Sequence, residues 1–160
     1  MALVAGCGTA RPGIPADFCH VPADSSALSA LVPDGDSLEQ KYTPFASRRG
    51  AQCDLSVDGR DVLSVAVRRW DRAPDPTDWD TVGAPYRHAA QRKVAFPGHA
   101  SIGSDRAVVE AACDTGTGYM SFVVDFWGDR VEDTPEGYRK LQRFVDVFVP
   151  EQTKKFGCTE

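Results

Sequence analysis

Two segments of the chain resemble each other, and this similarity limits the folds available to it. Residues 64–72 (SVAVRRWDR) and 121–130 (SFVVDFWGDR) each place a serine six residues before a tryptophan. Farther along, residues 80–92 and 133–143 share Asp-Thr, Tyr-Arg and Gln-Arg pairs when small gaps are allowed. We therefore expect two copies of one supersecondary unit, each with two strands followed by a helix.

Each copy has the pattern of a β-hairpin. In the first copy, at about residues 51–94, two strand patterns flank Asp58-Gly59, a dipeptide typical of tight hairpin turns. In the second copy, at about residues 105–150, two strand patterns flank residues 114–118 (DTGTG), whose glycines have the spacing of a tight turn. The sequence therefore predicts an antiparallel sheet built from two hairpins.

A helix pattern follows the first hairpin over residues 77–94. This helix would begin at Thr77 or Asp78, both of which are good N-terminal capping residues. Gly83 and Pro85 weaken its interior, because glycine costs conformational entropy and proline lacks a backbone N–H. The pattern nevertheless favours a helix packed on the first hairpin.

A second helix is expected over residues 134–149. Thr134 is a good N-cap residue, and Pro135 suits the first helical position. Its apolar residues recur at three- and four-residue steps and consist of Tyr138, Leu141, Val145 and Phe148. A third, short helix is expected over residues 22–33. We expect the helices to pack mainly on one face of the sheet.

The second strand of each hairpin alternates between two kinds of side chain, which sorts its residues onto two faces. One face is apolar and should meet the helices; it consists of Leu63, Val65, Val67, Met120, Phe122, Val124 and Phe126. The other face is mixed, and its candidate binding residues are Ser64, Arg68, Trp70, Ser121, Asp125 and Trp127. Because tryptophan and arginine are typical anchors of binding surfaces, we predict that this face contacts a partner. The alternative is that both tryptophans only end their strands and pack under the following loops.

The chain has an odd number of cysteines, which are Cys7, Cys19, Cys53, Cys113 and Cys158. Five cysteines cannot all pair within one chain, so one of them has another role. No two form a CxxC pair, and the three histidines lie far apart in sequence. Zinc sites usually contain such close ligand pairs, and the aspartates of residues 71–80 match no calcium-binding loop. We therefore expect no metal site.

The first cysteine closes a short apolar stretch, LVAGC, at residues 3–7. This stretch resembles the lipobox of bacterial lipoproteins, in which the cysteine becomes lipid-modified. The resemblance implies that Cys7 is the lipidation site and the first residue of the mature protein. Residues 1–16 would then be a lipobox remnant and a flexible tether, followed by one α+β domain over residues 17–160. Because only six residues precede Cys7, we expect the printed sequence to begin inside the export signal peptide.

The lipobox resemblance leaves four cysteines free to form two disulfides. Export implies an oxidising compartment, in which such cysteines pair. Four cysteines allow three connectivities. We favour Cys19–Cys53 with Cys113–Cys158, because each of these bonds joins elements within one half of the chain.

Two short motifs suggest catalysis only weakly. The DTGTG of residues 114–118 is similar to the catalytic triplet of aspartic proteases, but that chemistry requires two carboxylates that share a proton. Residues 97–105 (PGHASIGSD) contain His99, Ser101 and Asp105, but lack the G-x-S-x-G pattern of a nucleophile elbow. A small secreted hydrolase that uses His99 with Ser101 or Asp105 is an alternative function.

The overall balance of charge and cysteines points to the cell envelope. The net charge of −5 gives no general attraction to nucleic-acid phosphates. The lipobox, tether and paired cysteines together resemble the small secreted lipoproteins of high-GC Gram-positive bacteria, most of which are uncharacterised. This resemblance implies an α+β fold with an antiparallel sheet and two disulfides, anchored to the outer face of the cytoplasmic membrane.

We expect such a chain to be a non-enzymatic binding or sensing module of the cell envelope. Its partner would be an envelope protein or a small ligand, and it would need no cofactor. Membrane attachment would depend on the lipid at Cys7. A structural subunit of a surface complex is a further alternative to the hydrolase.

Overall fold

The computed structural model describes residues 13–114 and 116–160. Cys7 and the LVAGC stretch lie outside the described residues, so lipidation at Cys7 stays a prediction. In chain order the elements are β1 (Asp17–Phe18), β2 (Val21–Pro22), α1 (Ser25–Ser29), β3 (Leu38–Pro44), β4 (Gly50–Val57), β5 (Arg60–Trp70), α2 (Trp79–Gly83), β6 (Ala90–Arg92), β7 (Gly98–Ile102), β8 (Arg106–Ala112), β9 (Tyr119–Phe126) and α3 (Tyr138–Lys155).

Seven of the described strands form one sheet in the order β3-β4-β5-β9-β8-β7-β6. Every pair of neighbours in this sheet is antiparallel. The short strands β1 and β2 pair with each other in a separate two-stranded sheet. This arrangement confirms the predicted α+β class and its antiparallel sheet.

The two predicted hairpins meet at the centre of the sheet. β4 and β5 are joined through Asp58 and Gly59, whose φ angles of 50° and 73° are those that a two-residue hairpin turn requires. β5 then pairs with β9, so that Trp70 lies opposite Tyr119. The second strands of the two hairpins are therefore direct neighbours and run in opposite directions.

The helix expected over residues 77–94 is wrong in length. Only α2 is helical, and the Asp78 side chain caps its first turn by accepting hydrogen bonds from two backbone N–H groups. Pro85 follows this turn and has no backbone N–H with which to continue the helix. The end of the expected helix is instead β6, which pairs with β7 at the edge of the sheet.

The helix α3 also differs from the helix expected over residues 134–149. Gly137 occupies its N-cap position, and the backbone N–H of Gly137 donates to the carbonyl oxygen of Thr134 in a preceding turn. Thr134 is therefore outside the helix. Pro150 lies inside α3 without ending it. The predicted apolar stripe is confirmed at Leu141, Val145 and Phe148, which are buried.

α3 covers the apolar face of the central strands. All seven residues assigned to this face by alternation are at most 4% exposed. Phe122 of β9 meets Phe148 edge-to-face with ring centroids 6.3 Å apart, and Phe148 stacks on Phe144 at 4.9 Å. α1 packs against α3, so two of the three described helices lie on this face, as predicted.

Two disulfides tie the two ends of the described chain to the sheet. Cys19, in the turn between β1 and β2, is bonded to Cys53 of β4 with the Cα atoms 5.4 Å apart. Cys113, directly after β8, is bonded to Cys158 beyond α3 with the Cα atoms 4.5 Å apart. The favoured connectivity is therefore confirmed. Because disulfides persist in oxidising compartments, both bonds indicate an extracytoplasmic environment.

Removing either disulfide should destabilise the domain by a similar amount. The bonds close loops with sequence separations of 34 and 45 residues. Replacing Cys113 and Cys158 together by serine should lower the free energy of unfolding in urea by about 4 kcal/mol, as the chain-entropy model gives for loops of this size. Cys7→Ser is the matched control, because it removes a thiol and leaves both bonds. An unfolding transition that does not change after full reduction of the wild-type chain would contradict this prediction.

Candidate functional site

The open face is the side of the seven-stranded sheet opposite α3. Its side chains alternate along the strands with the buried residues that face α3. The register places four of the six candidate binding residues in two cross-strand pairs at its centre. Ser64 lies opposite Asp125, and Arg68 lies opposite Ser121.

The two candidate tryptophans lie at opposite ends of the open face. Trp70 is the last residue of β5, and Trp127 directly follows β9. The backbone N–H of Trp127 donates to the carbonyl oxygen of Val62 at 3.0 Å, which places Trp127 beside the start of β5. Because a strand rises about 3.4 Å per residue, the segment from Val62 to Trp70 separates the two ends by about 27 Å. One small ligand cannot contact both tryptophans.

The segment around α2 covers the open face over β7 and part of β8. A Cβ atom on Gly83 would lie only 2.6 Å from the Ser101 hydroxyl oxygen, so the two backbones approach closely there. The Tyr86 ring lies 4.5 Å from the Arg106 guanidinium and its hydroxyl accepts a hydrogen bond from it. The surface that remains accessible is therefore mainly that of β3, β4, β5 and β9.

Ser64 belongs to a polar cluster within the sheet surface. Its hydroxyl donates to the Asp54 carboxylate at 2.6 Å, and the Gln52 side-chain amide donates to the same carboxylate at 3.1 Å. The Gln52 amide also contacts the Ser64 hydroxyl oxygen. Ser64 is only 7% exposed, so it supports its neighbours rather than offering a free contact to a ligand.

Asp125 pairs with an arginine that the sequence analysis did not consider. The Arg106 Nε atom lies 2.9 Å from one Asp125 carboxylate oxygen. Arg68 occupies the position in the first copy that Asp125 occupies in the second, and the two residues have opposite charges. Arg68 lies four residues from Ser64 on β5. Since Ser64 is the residue opposite Asp125, Arg68 and Asp125 are about 13 Å apart along the strands.

Trp70 is held by contacts on several sides. Its indole N–H donates to the Ser121 hydroxyl at 2.9 Å, and its ring stacks on Tyr119 with centroids 6.0 Å apart. The guanidinium groups of Arg48 and Arg72 lie 5.9 and 5.5 Å from the centre of the ring. These distances are those of cation–π contacts, which stabilise the end of β5.

Trp127 is much more exposed than Trp70. Its side chain is 60% exposed, the highest value among the large hydrophobic residues that the structure describes. It borders three adjoining depressions in the surface, the largest of about 590 Å³. A tryptophan in this position fits the definition of an interface anchor, because it has apolar area left to bury and polar residues around it.

The charges at the two ends of the open face differ in sign. The Trp70 end has five arginines and two aspartates, which are Arg48, Arg49, Arg68, Arg69, Arg72, Asp71 and Asp75. The three depressions at Trp127 have nine carboxylates, on Asp34, Glu39, Asp54, Asp58, Asp61, Asp105, Asp125, Asp129 and Asp133, and four basic groups, on Lys41, Arg60, Arg87 and Arg106. The open face is therefore basic at one end and acidic at the other.

The structure does not bring the three residues of the hydrolase hypothesis together. His99 is exposed, with its ring 6.0 Å from that of Trp79. Ser101 is buried, and its hydroxyl has no hydrogen-bond partner among the described residues. Asp105 accepts a hydrogen bond from the backbone N–H of Arg87 at 3.0 Å and lies 3.5 Å from its guanidinium. The catalytic arrangement therefore has no geometric support.

Glu110 is a polar residue of the open face that the sequence analysis missed. It lies between Ser121 of β9 and His99 of β7 in the register. Burial raises the pKa of its carboxyl group above the ordinary value, while the charge of His99 lowers it. The alternation of RAVVEAA in β8 carries the signal for this residue, because it places Arg106 and Glu110 on the polar face.

Neither metal-ligating side chains in the described residues nor similarity to known proteins indicates a further site. Within residues 13–114 and 116–160, no three His, Cys, Asp or Glu side chains are grouped so that they could hold a metal ion. No helix in those residues combines the length and the hydropathy needed to cross a bilayer. Comparison with protein-family models, curated proteins and solved structures gives no match to this chain.

The two tryptophans should differ in their effect on stability. Trp70→Ala removes a hydrogen bond and a stacked ring, so we expect it to lower the free energy of unfolding in urea by about 2–3 kcal/mol. Trp127→Ala should change it by less than about 1 kcal/mol, since most of that side chain is in solvent. Trp70→Phe, which loses only the hydrogen bond and part of the ring, should fall between them. Equal destabilisation by both alanine variants would instead support tight packing of Trp127 under a loop.

Proposed function

We propose that this chain is a lipid-anchored binding module of the bacterial cell envelope, held on the outer face of the cytoplasmic membrane and without enzyme activity. Cys7 would carry the lipid, and the residues up to 16 would tether the domain to the membrane. The partner would be an envelope protein that contacts the open face at its Trp127 end.

The exposed indole of Trp127 is the observation that carries the binding role. About 150 Å² of its surface is available for burial, if a tryptophan has roughly 250 Å² in total and 60% is exposed. Covering that area would contribute roughly 3–4 kcal/mol to association. The surrounding depressions have a polar lining, which is typical of the rim that encloses such an anchor.

The cysteines support the location. Four of the five are paired in two disulfides, and Cys7 is the fifth. It is also the cysteine at which LVAGC resembles a lipobox. A lipid on Cys7 would account for the odd cysteine and for the export that the two disulfides require.

The lipid attachment predicts a simple labelling result. The chain would be expressed behind a lipoprotein export signal in a bacterium fed an alkyne-tagged fatty acid. We expect the wild-type protein to incorporate the tag and to stay in the membrane fraction after a high-salt wash, because the attachment is covalent and hydrophobic. Cys7→Ser should lose the tag and move to the soluble fraction. A Cys7→Ser protein that still carries the tag would refute lipidation at this residue.

The contact surface can be tested by photo-crosslinking in cells. A photoreactive amino acid would replace Trp127 in the lipidated chain, and a matched variant would carry it at Val147. Val147 is the other large hydrophobic residue that is exposed within residues 13–114 and 116–160, but it lies on α3 and therefore on the opposite side of the sheet. We expect a discrete adduct with one envelope protein from position 127 and none from position 147.

Adducts of equal yield from both positions would show that the crosslinks are random. No adduct from either position would contradict the proposed contact at Trp127. Both variants should fold, because each replaces a side chain that is exposed.

A further inference from the structure

Two arginines at the Trp70 end of the open face have no carboxylate partner among the described residues. Arg48 and Arg68 form no salt bridge, whereas Arg49 and Arg69 both lie 3.6 Å from Asp71. The two unpaired guanidinium groups instead lie over aromatic rings. Arg48 lies 5.9 Å from the centre of the Trp70 ring, and Arg68 lies 5.3 Å from that of Phe45.

Arg68 has unused hydrogen-bonding capacity. Its Nε atom is buried and has no hydrogen-bond partner in the described structure. A guanidinium group has five N–H donors in a planar fork, and unmet donors that are shielded from water cost free energy. Arg68 lies between Gly50 and Ser121 in the register. Gly50 packs against the β5 backbone, where a Cβ atom on it would lie 2.1 Å from the Val67 carbonyl oxygen, so the β4 neighbour of Arg68 has no side chain that could pair with the guanidinium.

Ser121 adds a further donor beside Arg68. Its hydroxyl oxygen accepts the indole N–H of Trp70 at 2.9 Å. A serine hydroxyl has one proton to donate, and no described group accepts the proton of Ser121. The Trp70 indole therefore uses one acceptor position of the Ser121 oxygen and leaves its O–H available to donate to a ligand.

The protein's own carboxylates do not occupy this position. The nearest carboxylate in the same cross-strand row is that of Glu110, which is separated from Arg68 by Ser121. Two strand spacings put their backbones about 9.6 Å apart. The Arg68 guanidinium lies over the Phe45 ring and forms no salt bridge with Glu110. The chain has 23 acidic residues and 18 basic ones, so acidic partners are plentiful elsewhere on its surface.

We infer that Arg68, Arg48 and Ser121 form a binding site for an oxyanion, either a phosphate or a carboxylate group of an envelope component. Arg68 would bind it through its planar fork, which matches two oxygen atoms of either group. Arg48 would add charge from the β3–β4 loop, and Ser121 would donate one hydrogen bond. This inference depends on the proposed function insofar as it takes the open face to be the binding surface.

The net charge of the chain determines how anion binding should depend on distance and on ionic strength. The net charge of −5 repels anions at long range, so binding must come from contacts at short range. The salt dependence should be that of a partly exposed site, with weaker binding as the ionic strength rises.

The site can be tested by two-dimensional ¹H–¹⁵N NMR titration of the full chain. The probes are inorganic phosphate, inorganic tripolyphosphate and citrate, each against sodium chloride at the same ionic strength. We expect saturable shifts of the Trp70 indole N–H, the Arg68 Nε–H and the backbone N–H of Gly50 and Ser121. Stronger binding of tripolyphosphate would identify a phosphate ligand, and stronger binding of citrate would identify a carboxylate ligand.

Single substitutions distinguish binding at this site from a nonspecific attraction of anions to basic residues. Arg68→Gln should weaken binding at least about tenfold, since it removes the charge and the planar pair of donors that hold the anion. Ser121→Ala and Arg48→Gln should each weaken it less. Arg139→Gln is the matched control, because Arg139 is an exposed residue of α3 on the opposite side of the sheet, and it should leave the affinity unchanged. The spectrum of each variant reports whether it is folded.

Two results would overturn the inference. One is a set of shifts that rise linearly with each probe, without saturation. The other is equal affinity in the wild type and in folded Arg68→Gln. Either result leaves the crosslinking from position 127 intact, whereas missing crosslinks leave the anion titration intact, so the two ideas fail separately.

Discussion

The pairing of β5 with β9 is the interaction on which the rest of the structure depends. Each strand has one face packed under α3, and side chains in a strand alternate with a period of two. A shift of one residue in the register would move Phe122 and Phe126 out of the core and polar residues into it. Burial of the phenylalanines therefore determines which side chains meet on the open face. The geometry of the candidate site is a consequence of the packing on the other side.

The same pairing relates the two similar segments by a local two-fold axis. Ser64 corresponds to Ser121 in sequence, and Arg68 corresponds to Asp125. In the antiparallel register, Ser64 lies opposite Asp125 and Arg68 lies opposite Ser121. Ser64 therefore meets the counterpart of Arg68, and Arg68 meets the counterpart of Ser64. For this reason the oppositely charged Arg68 and Asp125 lie about 13 Å apart along the strands and do not pair. Asp125 pairs with Arg106, whereas Arg68 has no carboxylate partner among the described residues and lies over the Phe45 ring.

Local patterns predicted more of this molecule than long-range ones. The alternation in β5 and β9 identified the buried face correctly, because period-two alternation is a property of the strand itself. The connectivity at Cys19 and Cys113 was accessible for a similar reason, since each bond stays within one half of the chain. The helix over residues 77–94 failed because its last part pairs with β7, a tertiary contact with no local signal. The pairing of Asp125 with Arg106 also required knowledge of the strand order.

The disulfides leave the open face free. Cys158 lies just beyond α3, and the carbonyl oxygen of Cys19 accepts a hydrogen bond from the buried Gln152 of α3 at 3.0 Å. The Cys113–Cys158 bond therefore ties the C-terminal end of α3 to the sheet covalently, and the Cys19–Cys53 bond does so through the hydrogen bond of Gln152. Within the described residues, the open face is therefore not crossed by a covalent link.

The Trp70 end and the Trp127 end of the open face differ in charge although the two strands are related by a two-fold axis. A two-fold related pair of strands would by itself produce two equivalent ends, each with a tryptophan. The first copy has Arg68 where the second has Asp125, and the adjoining loops add arginines at one end and aspartates at the other. Two groups of opposite charge can then bind about 20 Å apart along the strands, the span from Val62 beside Trp127 to Arg68, without contacting each other. An oxyanion at Arg68 and a protein at Trp127 would thus occupy the module together, which is a geometry suited to linking two components of an envelope.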